Sequence, residues 1–343
     1  MSGVFERNGH RRPGAPALAA APHSLPVSGV ELPELTIGEV AELGGRLRAS
    51  VRASVQLPEQ VLEVVVAALL AGGHLLVEDH PGVGKTQLAR TLARSLGGRF
   101  ARVQATVDLL PADIVGASIW RPDTASFRFR PGPVFANVVL VDELNRATPK
   151  TQSGLLEAMQ EGQVSVDGRS WPLPRPLVVV ATQNPSTVED GTYRLPAAQL
   201  DRFLARIWLG YPSADQEVSL LRGGPQPTAA VVPVSSPAEL LAAQQATARV
   251  HAADALLGYL VALLAATRTH RLVEVGASPR AGLALLATAR AHAALQAREF
   301  VVPDDVQALA QAVLAHRIQP TATAPAEAQT QVVADAIAGV PAR

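Results

Sequence analysis

Apolar residues recur near helical spacing from Ile37 to Val55, with arginines on the opposite side, and predict an amphipathic helix. A second helix is predicted from Pro58 to about Ala71, where Gly72 and Gly73 stop it. The pattern then changes. Val138 to Val141 and Leu177 to Thr182 are unbroken apolar runs rich in β-branched valine, as expected of central parallel strands covered on both faces. His74 to Glu78, Phe100 to Gln104 and Ala205 to Leu209 read as three further strands, and Gln87 to Leu96 is a helix-forming run behind the first of them. Strands alternating with helices as far as Pro212 predict an α/β domain with a parallel five-stranded sheet between helices. Arg222 to Pro237 is rich in Gly, Pro and Ser and reads as a linker. Beyond it Ala, Leu, Gln and Arg follow helical periodicity, with turns near Val275 to Pro279 and Val301 to Asp304, so a small all-α unit is expected. Pro303, Asp304 and Asp305 form a helix start with acids at its positive end.

Composition narrows this picture. At 343 residues the chain suits two packed units. Its formal net charge is zero, so no overall basic excess drives binding to nucleic acid, and that class of partner is not expected. The absence of cysteine excludes disulfides and thiolate metal sites and suits a reducing, cytoplasmic setting. The longest apolar runs, Val64 to Gly73 and Leu256 to Thr267, are too short to cross a bilayer. Residues Met1 to Pro33 have no continuous apolar segment of a secretory signal and read as a flexible tail.

The chemistry sits in two stretches. Asp79 to Thr86 (DHPGVGKT) lies between a strand and a helix and has the form of a phosphate-binding loop. Pro81, Gly82, Val83, Gly84, Lys85, Thr86 and Gln87 are the candidate nucleotide contacts. Gly82 and Gly84 let backbone N–H groups turn toward phosphate oxygens, Lys85 neutralises the β- and γ-phosphates, and the Thr86 hydroxyl ligates Mg²⁺. The helix starting there adds its positive end. Val138 to Glu143 (VVLVDE) is a buried strand that delivers two carboxylates at its tip: Asp142 for the Mg²⁺ shell and Glu143 to orient and polarise the attacking water. The chain has only two lysines, Lys85 and Lys150, and one stands where a compact ammonium suits phosphates better than a planar fork. The alternative is a Gly-rich strand–helix turn followed by an unrelated acidic turn; the flanking strand and helix argue against it. Isolated histidines such as His74, His251, His270 and His316 show no metal-ligand spacing, so Mg²⁺ brought with the nucleotide is the only metal implied.

With these residues placed, the chain resembles the MoxR-family AAA+ ATPases of the helix-2-insert group, from about Ile37 to the C-terminus. The resemblance is carried by GPVFANVVLVDELNRATPKTQSGLLEAMQEGQVSVDG (Gly132 to Gly168), ATQNP (Ala181 to Pro185), LPAAQLDRF (Leu195 to Phe203) and GASPRA (Gly276 to Ala281). It implies a P-loop AAA+ core over 37–212, after a tail over 1–36, and a helical lid domain over 238–343 joined through a linker at 213–237. Lys85 and Thr86 match the Walker A pair, and Asp142 and Glu143 the Walker B pair. Asn184 matches sensor 1, which hydrogen-bonds the attacking water or the γ-phosphate; from the residues alone it reads equally well as a turn residue before Pro185. Arg202 resembles the arginine finger that one subunit inserts into its neighbour's site, against a plain reading as a salt-bridge arginine after Asp201. Arg280 resembles sensor 2, against a plain reading as a solvated helix start.

The resemblance further implies ATP hydrolysis by a homo-oligomeric, hexameric ring with a chaperone-like role in complex or metalloenzyme assembly, usually beside a partner bearing a von Willebrand factor A domain. A nucleic-acid motor of the helix-2-insert type is the rival from another class, and a nucleotide-gated scaffold with negligible turnover a third. Two insertions fit the group. Asp113 to Pro131 suggests a hairpin interrupting a helix, and Gly162 to Pro174 a second hairpin turned at Asp167–Gly168. Such hairpins face the channel or the client; packing by their aromatics is the plain alternative. Two positions depart from the family pattern. Asp79 replaces the first glycine of the loop and puts an acid near a polyphosphate, with weaker or more Mg²⁺-dependent binding expected. Leu57–Pro58 replace the usual Gly-Gln pair near the adenine, so adenine preference rests on the family.

Overall fold

The computed structural model describes residues 32–80, 82–184, 192–193, 195–211, 218, 221–222 and 231–342. Residues 1–31 of the expected tail, Pro81, Pro185 and most of the expected linker lie outside the described residues.

Helix α1 (Ile37–Arg52) begins on a reciprocal cap: the Thr36 hydroxyl accepts from the Glu39 N–H at 3.3 Å, and the Thr36 N–H donates to the Glu39 carboxylate at 2.8 Å. Its buried stripe is Val40, Leu43, Leu47 and Val51. Helix α2 (Glu59–Leu70) is apolar almost all round and is buried accordingly; Gly72, at φ +69°, releases the chain into the sheet.

Five parallel strands follow the order β2 (Phe100–Gln104), β5 (Val138–Asp142), β8 (Val178–Gln183), β1 (Leu75–Glu78), β9 (Ala205–Ile207). The period of two in each strand feeds two cores. Leu75, Val77, Val138, Leu140, Val178 and Val180 pack with α1, α2 and α3 (Lys85–Ser95). Leu76, Val139, Val141, Val179 and Ala181 pack on the other face with α5 (Pro149–Glu161). Burial of each such valine or leucine side chain contributes about 1.5–3 kcal/mol. The valine runs therefore needed no polar face, and they carry none. Strand β9 ends at Ile207, short of the expected Leu209, because the N–H groups of Leu209 and Gly210 turn to the Asp79 carboxylate instead of a neighbouring strand.

Both hairpins form. The first joins β3 (Gly116–Arg121) to β4 (Ser126–Pro131) after the short helix α4 (Pro111–Val115); no helix resumes between β4 and β5. Gly116 and Gly132 are pressed together at its base, where a Cβ on Gly132 would lie 2.2 Å from the Ile114 carbonyl oxygen. The second joins β6 (Gln163–Val166) to β7 (Arg169–Pro172) through Asp167 and Gly168, both at positive φ (51° and 73°), the turn that matches strand twist. Phe129 stacks on Trp171 at 4.4 Å and so joins the two hairpins, whereas Trp120 and Phe127 meet edge to face at 5.1 Å and stay about half exposed. The aromatics thus divide between packing and an exposed tip.

Helices Pro237–Ala248, Asp254–Arg268, Pro279–Leu295, Pro303–Leu314 and Ala328–Gly339 form the lid. Pro279–Leu295 docks on α1, where Leu295 fills the space a side chain at Gly44 would take (2.2 Å). Among the described residues no helix is long and apolar enough to cross a membrane.

Candidate functional site

Strands β5, β8 and β1 are neighbours, so their C-terminal ends come together, which is where open parallel sheets bind ligands. The chain leaves β1 at Glu78, turns at Gly82 (φ +89°) and Gly84 (φ +94°), and enters α3 at Lys85. Those φ values lie in the left-handed region and call for glycine. The first turn of α3 leaves N–H groups without intrahelical partners, at the positive end of the helix dipole. Asp142 and Glu143 arrive from β5, and Thr182 and Asn184 from the end of β8. A cavity of about 430 Å³ is lined by Gly82, Gly84, Lys85, Thr86, Gln87, Asp142, Glu143 and Asn184, together with Arg102, Gln104 and Thr182. Val83 turns its side chain into the core, and Pro81 lies outside the described residues.

Within the cavity, Lys85 Nζ donates to the Asp79 main-chain carbonyl at 2.5 Å. Burial pushes its pKa down, against the pull of Asp79, Asp142 and Glu143. Asp142 accepts from Arg102 Nε at 2.6 Å, with the Thr182 hydroxyl 3.5 Å from its other oxygen. Glu143 is held in the left-handed region (φ +54°), its N–H donates to Thr182 Oγ1 at 3.0 Å, and its carboxylate accepts from Arg146 at 3.0 Å. A hydroxyl from Thr86 and a carboxylate from Asp142 on the walls of one cavity are hard oxygen donors of the kind Mg²⁺ takes, and the glycine-turned loop gives a cradle of N–H groups for phosphates. The residues fit both groups.

The expectation for Asp79 is corrected. Its carboxylate is taken up by backbone donors. Oδ2 accepts from the N–H groups of Leu209 and Gly210, each at 2.7 Å, and Oδ1 from the His80 N–H at 2.8 Å. The buried acid is saturated by backbone donors and clamps the start of the loop to the end of β9.

Arg202 and Arg280 do not line this cavity. They line a second one, of about 390 Å³, with Gly72, Gly73 and His74, at the N-terminal end of β1 and so across the sheet from the loop. Asp201 pairs with the two lid arginines, Arg317 at 3.3 Å and Arg280 at 3.9 Å, and accepts from the Ser278 hydroxyl at 3.2 Å. Arg202 is not an ion-pair partner of Asp201, and its Nε is buried without a hydrogen bond. Arg317 Nη2 (2.7 Å) and His316 Nε2 (3.1 Å) hold the carbonyl of the next residue, Phe203, so the lid fixes the turn that bears Arg202.

Sequence reasoning missed Arg102, Gln104, Thr182 and Arg146. The signal for the first two was present: polar residues at alternate positions near the C-terminal end of a strand beside the acidic one. Thr182 closes an apolar run, and no local pattern marks it as a site residue.

A family model described as "ATPase family associated with various cellular activities (AAA)" matches residues 74–205, and the AAA lid domain matches residues 265–336. The Chaperone MoxR1 of Mycobacterium tuberculosis is 41% identical over 322 residues, covering 90% of this chain and 83% of that protein. The uncharacterized protein YeaC of Bacillus subtilis is 48% identical over 255 residues, 74% of this chain and 79% of that one. A solved structure assigned as an ATPase, from Cytophaga hutchinsonii, superposes with a TM-score of 0.81 at 32% identity and covers 90% of this chain and 97% of its own.

Proposed function

The chain belongs to the MoxR family of AAA+ ATPases, and from that premise we propose that it hydrolyses Mg²⁺-bound ATP and works as a homo-oligomeric ring that remodels protein clients. The observation that carries the reading is the convergence of Lys85, Thr86, Asp142, Glu143 and Asn184 on one cavity from three adjacent strand ends.

The loop N–H groups and Lys85 bind and orient the triphosphate, and Gln87 lies beside them at the start of α3. Thr86 and Asp142 would hold Mg²⁺, which supplies charge neutralisation across the phosphates. Glu143 orients a water and takes its proton, with Asn184 as the second hydrogen-bonding group on it. The nucleotide-binding domain is residues 37–212 and the lid is 238–343.

Arg202 and Arg280 lie at the other end of β1, so their guanidinium groups are poorly placed for their own chain's phosphates. They suit the nucleotide of a neighbouring subunit, which favours a ring; six subunits is the family's form. A von Willebrand factor A protein as partner, a protein client and a cytoplasmic setting come with the same family reading, and the name chaperone belongs to the relative. Neutral net charge weighs against a nucleic-acid client.

The test is Mg²⁺-dependent phosphate release from ATP by purified protein. Release by the wild type that is lost in Lys85→Ala supports the assignment; no release, or release unaffected by that substitution, refutes it.

A further inference from the structure

Arg102 lies on the edge strand β2, and the β2–β5 register pairs it with Leu140 and pairs Gln104 with Asp142. Val103 between them points into the second core, so Arg102 and Gln104 share the face of the sheet that carries α3 and the phosphate-binding loop. From there Arg102 reaches two residues along the sheet, and its Nε meets Asp142 Oδ2 at 2.6 Å. The two ends of this bond differ. The Asp142 side chain is nearly buried, at 12% exposure, whereas Arg102 remains 47% exposed and lines the cavity itself. The carboxylate is enclosed, while the guanidinium on it is open to solvent.

Two acids stand side by side at the tip of β5, and each has an arginine on it: Asp142 has Arg102, and Glu143 has Arg146. Lys85 is occupied with the Asp79 carbonyl rather than with either carboxylate. Among the described residues, the only guanidinium on the Asp142 carboxylate is therefore that of Arg102.

We propose that Arg102 is a positioning residue that holds the Asp142 carboxylate while no divalent ion is bound and competes with Mg²⁺ for it, and so sets the Mg²⁺ concentration at which ATP binds. This rests on the reading of Asp142 as a Mg²⁺ residue. The physical basis is direct: a carboxylate oxygen engaged by a charge-assisted hydrogen bond must give up that bond to serve a metal. Because Arg102 is half exposed, the competition is modest, about three- to fivefold, the weight of a partly solvated ion pair.

The experiment measures binding of a fluorescent ATP analogue by the full chain while Mg²⁺ is titrated, for wild type, Arg102→Gln and Arg102→Lys. Arg102→Gln should lower the half-saturating Mg²⁺ by about three- to fivefold, with affinity at saturating Mg²⁺ within about twofold of wild type. Arg102→Lys keeps the charge and loses the fork, and should fall between them. It also keeps the test open if the glutamine variant does not fold. A half-saturating Mg²⁺ that is unchanged or raised overturns the proposal, and a large loss of affinity at saturating Mg²⁺ does so too, since it would make Arg102 a phosphate ligand. A merely structural role would lower melting temperature without moving the Mg²⁺ midpoint. Wild-type binding that does not depend on Mg²⁺ would instead remove the underlying reading of Asp142.

Discussion

Arg146 donates to the carboxylate of Glu143 at 3.0 Å, within the turn that leaves β5. The group assigned as general base is thus parked on a cation of its own turn, in a left-handed backbone conformation that holds it at the cavity wall. Both side chains are partly exposed, so the pair is worth only a few tenths of a kcal/mol and yields readily to a water and a phosphate.

Glu143→Gln keeps size and hydrogen-bonding capacity and removes the charge that polarises water. ATP binding should persist, and turnover should fall by roughly a hundredfold or more. Arg146→Ala should change turnover by less than about fivefold, because the ion pair it removes is weak. Steady-state phosphate release and equilibrium nucleotide binding separate the two effects. Near-wild-type turnover in Glu143→Gln would remove Glu143 from the mechanism.

Asp79→Gly restores the loop's usual glycine, yet it should not tighten nucleotide binding at any Mg²⁺ concentration, because the carboxylate faces Leu209 and Gly210. It should instead cost roughly 1.5–3 kcal/mol of stability, chiefly by leaving the buried Leu209 N–H without its charged acceptor. Binding isotherms and urea denaturation read the two quantities independently. Tighter binding at low Mg²⁺ would place the acid at the phosphates after all.

Stability should fall as pH drops below neutrality, with His74 as one source. Burial pushes its pKa down to about 4. Nδ1 accepts from the Val179 N–H at 3.1 Å, which puts the ring proton on Nε2, 3.3 Å from the Met159 carbonyl, and leaves no place for a second proton. The unfolded chain takes up that proton near pH 6.5 and the folded one near 4. The contribution of His74 is therefore complete above 6.5 and is lost as pH falls from 6.5 toward 4, at about 1.4 kcal/mol per pH unit. His316 acts in the same sense, its pKa pushed well below the usual value by burial and by Arg317 and Arg206. The urea midpoint at pH 5 should lie below that at pH 7. His74→Asn, which can still accept from Val179 but cannot titrate, should narrow the gap; an unaltered gap would exclude His74 as a source.

The fold was legible in the sequence because its central strands are buried on both faces. Runs such as Val138–Val141 have no amphipathic alternative, and glycines at positions 82 and 84 mark the turn that the phosphate loop requires. Lys85, Thr86, Asp142 and Glu143, which meet at the loop cavity, were legible for a different reason: they lie in two contiguous stretches, 79–86 and 138–143. What was not legible depends on pairing across strands. The meeting of Arg102 with Asp142 follows from the β2–β5 register, and the turning away of Asp79 follows from where β9 ends, which no local pattern encodes. The placement of Arg280 on Asp201, and its absence from the loop cavity, likewise depends on how the lid docks.

In the proposed ring ATP is hydrolysed between subunits, with Arg202 serving the site of a neighbour. The decisive experiment is the ATPase rate of a mixture of Lys85→Ala and Arg202→Ala proteins, each assayed alone as well, after subunit exchange has been verified. Each variant alone should be nearly inactive, since characterised arginine fingers contribute about 10³–10⁵ in rate. The mixture should regain activity, because some interfaces then join an intact Lys85 loop to an intact Arg202. No recovery in a mixture whose subunits do exchange would contradict the account and leave Arg202 acting within its own chain or not at all.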